Sequence, residues 1–117
     1  MSLWILDTNH VSLFQQNHPA VITHVYAKNP EEIAVTIITF EEQVYGRLNR
    51  IRRAKSEAAT VLGYTNMRAM LDYFRAINVI DFDLQAYAYF SDLVRQKIRI
   101  GTQDLRIAAI ALSRDAT

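Results

Sequence analysis

Apolar and polar positions change rhythm several times along the chain, and each change marks an element. Residues 3–6 (LWIL) are uniformly apolar, which suits a short strand buried on both faces. From Thr8 the pattern TNHVSLFQQN is sparser and follows small polar residues, predicting a brief helix. Pro19 can open a second helix, with Val21, Ile22, Val25 and Tyr26 at helical spacing. KNPEE is a turn, and the β-branched run IAVTII (33–38) is a second strand. Thr39 is placed to cap the next helix, where Phe40, Val44, Leu48 and Ile51 share a face. A longer helix is predicted from Ser56 to Arg75 through Val61, Tyr64, Met67, Met70, Leu71 and Phe74, with Gly63 as an unfavourable interior residue. INVIDF (77–82) forms the third strand, and Asp83 caps a helix reaching about Ile98. RIGT is a turn in which Thr102 caps a last helix from Gln103 to about Ser113.

Strands separated by helical segments imply βαβ units, hence an α/β domain with a parallel sheet and helices on its faces. With 117 residues the chain is expected to form one domain with one core. SRDAT follows the last helix, at the place where such a chain turns into its next strand. Three recognisable strands make a small but viable sheet.

Composition narrows the chemistry. Half of the residues are hydrophobic and about a fifth charged, as in ordinary soluble domains. Cysteine is absent, which excludes disulfides, thiolate metal sites and thiol catalysis. No apolar run suits a signal core or a membrane span, so a cytoplasmic protein is expected. The net charge of +1 selects no partner, but five basic residues (Arg47, Arg50, Arg52, Arg53, Lys55) run without an acid. That run is either a solvated helix face or a surface for phosphates or an acidic segment.

In an open parallel sheet, ligands collect outside the carboxyl ends of the strands. Asp7 ends the first strand; it either merely starts the next helix or is delivered to a site there. Glu41 and Glu42 fall in the first turn of the helix after the second strand, near the same rim. Asp104 opens the last helix. At about 100° per residue, Ile107, Ala108 and Ala111 lie within roughly 60° of it, so Asp104 continues an apolar stripe facing the protein. It either complements the helix dipole or joins other acids in a pocket; Thr102 as cap weakens the first explanation. Converging carboxylates would repel one another, and a hard divalent cation removes that cost. Mg²⁺ or Mn²⁺ takes oxygen ligands and bridges to phosphates, so phosphodiester hydrolysis is the natural chemistry of such a cluster. The plainer alternative is that these acids act separately, as caps and surface charges.

Other candidates are weaker. His10, His18 and His24 lack zinc-ligand spacing, Ser12 and Ser91 lack a nucleophile elbow, and the three glycines form no phosphate loop. The six tyrosines, mostly on apolar helical stripes, are assigned to the core, as are Met67 and Met70.

LWILDTNHVSLF, TIITFEEQVYGRLN and IGTQDLRIAAIAL, in this order, resemble three motifs of PIN-domain ribonucleases, specifically VapC-type toxins of toxin–antitoxin pairs. The resemblance implies a three-layer α/β/α PIN-like domain, a Mg²⁺- or Mn²⁺-dependent endoribonuclease, a homodimer, and a cognate antitoxin covering the acidic groove. It assigns Asp7 and Asp104 as metal ligands. A helical wheel places Glu41 nearer the apolar face, but the motif's acid precedes a YG pair by three residues, which selects Glu42 ahead of Tyr45–Gly46. Asn9 matches a position that orients the first acid, and Thr102 one where some members carry a second acid. The family continues past SRDAT into a further strand and a TRN…DF segment with another acid, which this chain does not carry. An inactive module that dimerises or binds an antitoxin is therefore the alternative. A phosphoacceptor receiver domain is disfavoured, because LDTN and AVTIIT lack its paired acids and central aspartate.

Overall fold

The computed structural model describes residues 3–15, 18–26 and 30–116, with the backbone alone for Asn9, His10, Leu13, Phe14, His24, Tyr26 and Pro30. The chain runs β1 (Trp4–Ile5), α1 (Thr8–Gln15), α2 (Pro19–Tyr26), β2 (Ile33–Thr36), α3 (Ile37–Arg53), α4 (Glu57–Ala76), β3 (Asn78–Ile80), α5 (Leu84–Arg95) and α6 (Thr102–Ser113). The strands pair in the order β1-β2-β3, and both pairings are parallel, with Ile5 opposite Ala34 and Thr36 opposite Ile80. Helical crossovers between successive strands allow this parallel arrangement.

The period-two alternation of β2 divides the core. Ala34 packs with Ile38, Ile80, Ala86 and Ile110, whereas Val35 packs with Val11, Met70 and Phe74. The flanking strands follow the same rule: Ile5 and Ile80 join the first cluster, Leu6 and Val79 the second. Helices α5 and α6 thus cover one face of the sheet, and α1 and α4 cover the other. The three-layer α/β/α architecture is the expected one.

Several boundaries differ from expectation. IAVTII does not form one strand: β2 ends at Thr36, and α3 begins at Ile37. Thr36, not Thr39, is the cap, its Oγ1 accepting the Thr39 N–H at 3.3 Å. Local β propensity yields here to burial, because helical backbone places Ile38 against Ile80 and Ile110. Glu41 and Glu42 consequently lie in the second turn of α3 rather than the first. α5 stops at Arg95, three residues before Ile98, and its start is capped by Asp83, whose Oδ1 accepts the Ala86 N–H at 2.9 Å. Gly101 is the N-cap of α6 and offers no side-chain cap bond, so Thr102 is the first helical residue rather than the cap.

The tyrosine assignment also fails: Tyr45, Tyr64, Tyr87 and Tyr89 are exposed, as are Val61 and Leu71 of the supposed α4 stripe. Gly63 has a positive reason for its place. A Cβ there would lie 2.9 Å from Ile51 Cγ1, so α4 packs closely on α3 at this point. Gly63→Val is expected to destabilise the domain by about 1–3 kcal/mol through overpacking. An unchanged urea midpoint would show that α4 shifts freely.

Candidate active site

Asp7 follows β1 and is exposed at its carboxyl end, while its carbonyl accepts the Val11 N–H at 3.0 Å. The residue therefore starts α1 and also stands at the rim of the sheet. Thr8 comes next, and its hydroxyl makes the connection to α3. Thr8 Oγ1 donates to Glu42 Oε1 at 2.9 Å and lies 3.2 Å from Thr39 Oγ1. A hydroxyl has one proton, so Thr8, having given its own to the carboxylate, accepts from Thr39. Thr39 is fully buried, which anchors the relay in the core.

A second bond joins α3 to α6. Gln103 Nε2 donates to Glu41 Oε1 at 2.9 Å, and Gln103 Oε1 accepts from Arg106 at 2.8 Å. The Arg106 guanidinium in turn sits 5.6 Å from the Phe90 ring centroid of α5. The segments Asp7–Thr8, Glu41–Glu42 and Gln103–Asp104 are thus fastened to one another by two side-chain hydrogen bonds. Sequence reading missed Thr8, Thr39 and Gln103 in these roles. The available signals were a hydroxyl directly after Asp7 and an amide directly before Asp104.

Asp104 departs from its expected placement. The buried stripe of α6 is Leu105, Ala109 and Ile110, and Asp104 is exposed at its edge. Its Oδ2 lies 3.8 Å from the position a Cβ on Gly101 would take, so the side chain leans toward the start of its own helix. With no side-chain cap there, the dipole explanation is stronger than the sequence indicated. The helical wheel on α3 was misdirected in a similar way. It counted Tyr45 and Leu48 as core, yet Tyr45 is 69% exposed, and Glu42 is half-buried while Glu41 is exposed.

Among the described residues, the ion pairs lie away from Glu41, Glu42 and Asp104: Arg68–Asp72, Arg95–Asp92 and Arg114–Asp83. The donors at the rim are all oxygens, the chemistry that Mg²⁺ or Mn²⁺ requires. Also among the described residues, no three acidic or histidine side chains stand close enough to hold a metal ion. The donor type fits a hard cation, and the arrangement leaves the ligand set open. His18 is exposed, and the side chains of Asn9, His10 and His24 lie outside the described residues.

The seam between α1 and α3 continues below this rim. Gln43 Nε2 donates to Ser12 Oγ at 3.3 Å, while buried Gln43 Oε1 and Arg47 Nε have no partner among the described residues. Burial first, and then the charge of Arg50, lower the Arg47 pKa from its ordinary value. Arg50, Arg52 and Arg53 occupy the last turn of α3, where cations complement the helix dipole.

Thr8→Val keeps the shape and removes the hydroxyl. The domain is expected to lose about 1–3 kcal/mol, since Glu42 and Thr39 each lose a partner. Chemical denaturation checks this; a loss below about 0.5 kcal/mol would mean that water replaces the hydroxyl.

No protein-family model matches the sequence, and no curated protein matches it. Solved structures do. One match is to a DNA-bound VapBC from Salmonella typhimurium, with TM-score 0.71 and 26% identity, covering 99% of this chain and 83% of that one. Another is a toxin–antitoxin complex from Klebsiella pneumoniae, with TM-score 0.72 and 18% identity, covering 97% and 81%. FitAcB from Neisseria gonorrhoeae matches with TM-score 0.70 and 22% identity, covering 97% and 84%. The chain has the fold of a PIN-domain, VapC-type toxin. In this VapC-type fold, the rim bearing Asp7, Glu42 and Asp104 lies at the carboxyl ends of the strands, where open α/β sheets place their ligands. No helix among the described residues is long and apolar enough to cross a membrane.

Proposed function

We propose that this VapC-type protein is the toxin of a toxin–antitoxin pair and acts as a Mg²⁺- or Mn²⁺-dependent endoribonuclease in the cytoplasm. The supporting observation is the pair of bonds Thr8–Glu42 and Gln103–Glu41, which draw three acid-bearing segments to one rim. Asp7, Glu42 and Asp104 would hold the ion, which supplies Lewis-acid activation of a phosphodiester and of water when bound. Glu41 is the fallback ligand if its bond to Gln103 opens. The Thr39–Thr8 relay holds the Glu42 carboxylate in one orientation, so less of its side-chain entropy is lost on binding an ion. Gln103 holds the first turn of α6, and with it Asp104, against α3. Asn9 is assigned to orienting Asp7, and Thr102 to the outer edge of the site. The partner is an antitoxin, in keeping with the toxin–antitoxin complexes that share the fold, and the working unit is a homodimer.

Incubation with labelled single-stranded RNA tests the reading. Cleavage is expected with Mg²⁺ or Mn²⁺ and is expected to stop with a chelator; cleavage that survives the chelator would overturn it. A second reading is a binding module without catalysis, favoured by the open ligand set among the described residues. It predicts antitoxin binding with no metal-dependent cleavage.

A further inference from the structure

The loop between α5 and α6, residues 96–101 (QKIRIG), carries two cations that the site as described does not use. Lys97 has φ of 56°, in the left-handed region where helices usually place glycine after their last turn. Its N–H donates to the Val94 carbonyl at 3.0 Å, so it serves as the closing residue of α5. A lysine there carries a backbone cost of about 1 kcal/mol that glycine would not. Asp115 closes α6 in the same conformation, with φ of 51°, so the conformation is a helix ending of this chain and the case for Lys97 rests on its charge and place. Lys97 and Arg99 are both exposed, and among the described residues neither forms an ion pair. Asp104 is only a few residues further on, yet it does not pair with them either.

The loop also ends at the acidic rim. Gly101 is the cap of α6 and lies beside Asp104 Oδ2, and Gln103 ties this turn to Glu41. Gly101 is four steps along the chain from Lys97, which at about 3.6 Å per step places the Lys97 backbone within roughly 14 Å of that cap. Exposed cations beside the start of an acidic rim are opposite charges arranged for a ligand that meets both. A polyphosphate backbone is such a ligand, with the cations taking phosphates on one side of the bond presented to the acids. Ile98 and Ile100, 40% and 49% exposed, alternate with the cations along the loop.

We infer that Lys97 and Arg99 form a phosphate-backbone contact that seats a single-stranded RNA beside the acidic rim. The inference rests on the nuclease reading and names how its substrate is held. Neutralising a phosphate contact on a single strand lowers the slope of log K against log salt by about 0.7, or about five-fold in affinity at 0.1 M salt. Equilibrium binding of a fluorescent single-stranded RNA to the full chain, in chelator and across a salt series, reads this directly. Lys97→Gly relieves the left-handed residue, so its melting temperature is expected to hold or rise while the slope falls by about 0.7. Arg99→Gln is expected to lower the slope by the same amount, and the double variant by about 1.4. Arg68→Gln, which removes a cation already paired with Asp72, is expected to leave the slope unchanged. Wild-type slope and affinity in both loop variants would overturn the inference, as would an equal effect from Arg68→Gln. If the wild-type chain itself binds no RNA, the nuclease reading fails rather than the loop assignment alone.

Discussion

Asp104→Asn is expected to reduce metal-dependent RNA cleavage by at least about 100-fold while leaving the fold intact. The substitution keeps the size of the side chain and removes its charge, so an amide stands where a hard cation needs a carboxylate. Loss of mere supporting partners around metal ligands costs 10- to 100-fold, which sets the lower bound for a ligand itself. The stability effect should be small, because Asp104 is exposed and forms no ion pair among the described residues. Losing its favourable charge near the start of α6 costs about 0.3–1 kcal/mol. Asp7→Asn is expected to lower cleavage by a similar factor. Circular dichroism and a melting curve beside the cleavage assay separate the two effects. Wild-type cleavage by the Asp7→Asn, Asp104→Asn double variant would remove these residues from the chemistry.

Ile110→Ala is expected to produce the largest loss of stability, about 2–5 kcal/mol. Ile110 is fully buried and packs with Ala34, Ile38, Ile80 and Ala86, so it pins α6 to β2, α3, β3 and α5 together. A domain has only about 5–15 kcal/mol in total, which makes this a substantial fraction. The same contact helps to carry Asp104 to the rim, together with the bonds of α6 from Gln103 to Glu41 and from Arg114 to Asp83 at 3.3 Å. A urea midpoint close to wild type would mean that neighbouring side chains collapse into the space.

The order of strands and helices was legible because burial on two faces and burial on one face leave different apolar rhythms. LWIL, IAVT and NVI are runs, whereas the helices show spaced apolar positions. The β2–α3 junction was not legible, because Ile37 and Ile38 look like strand residues and are helical only through their contacts with elements far along the chain. Apolar spacing on α3 and α4 also overstated the core. It registers which residues are apolar, not which of them another element covers, and Tyr45, Val61 and Tyr64 remain exposed.

The candidate site divides along the same line. Asp7 could be placed at the rim because it directly follows a strand, and Asp104 because it opens a helix. The bonds that connect them were hidden. Thr8 meets Thr39 and Glu42 across 31 and 34 residues, and Gln103 meets Glu41 across 62. Hydroxyls and amides at such separations carry no periodic signature. The choice between the two glutamates looks different once those bonds are known: each is tied to a different flank, Glu42 toward Asp7 and Glu41 toward Asp104.

The most direct test is a Mn²⁺ titration followed by electron paramagnetic resonance, on the wild-type chain and on the Asp7→Asn, Asp104→Asn variant. The account predicts that wild type removes the free-ion signal up to a saturable stoichiometry and that the variant does not. Wild type that leaves the Mn²⁺ signal untouched, or a variant that binds as well as wild type, would contradict it.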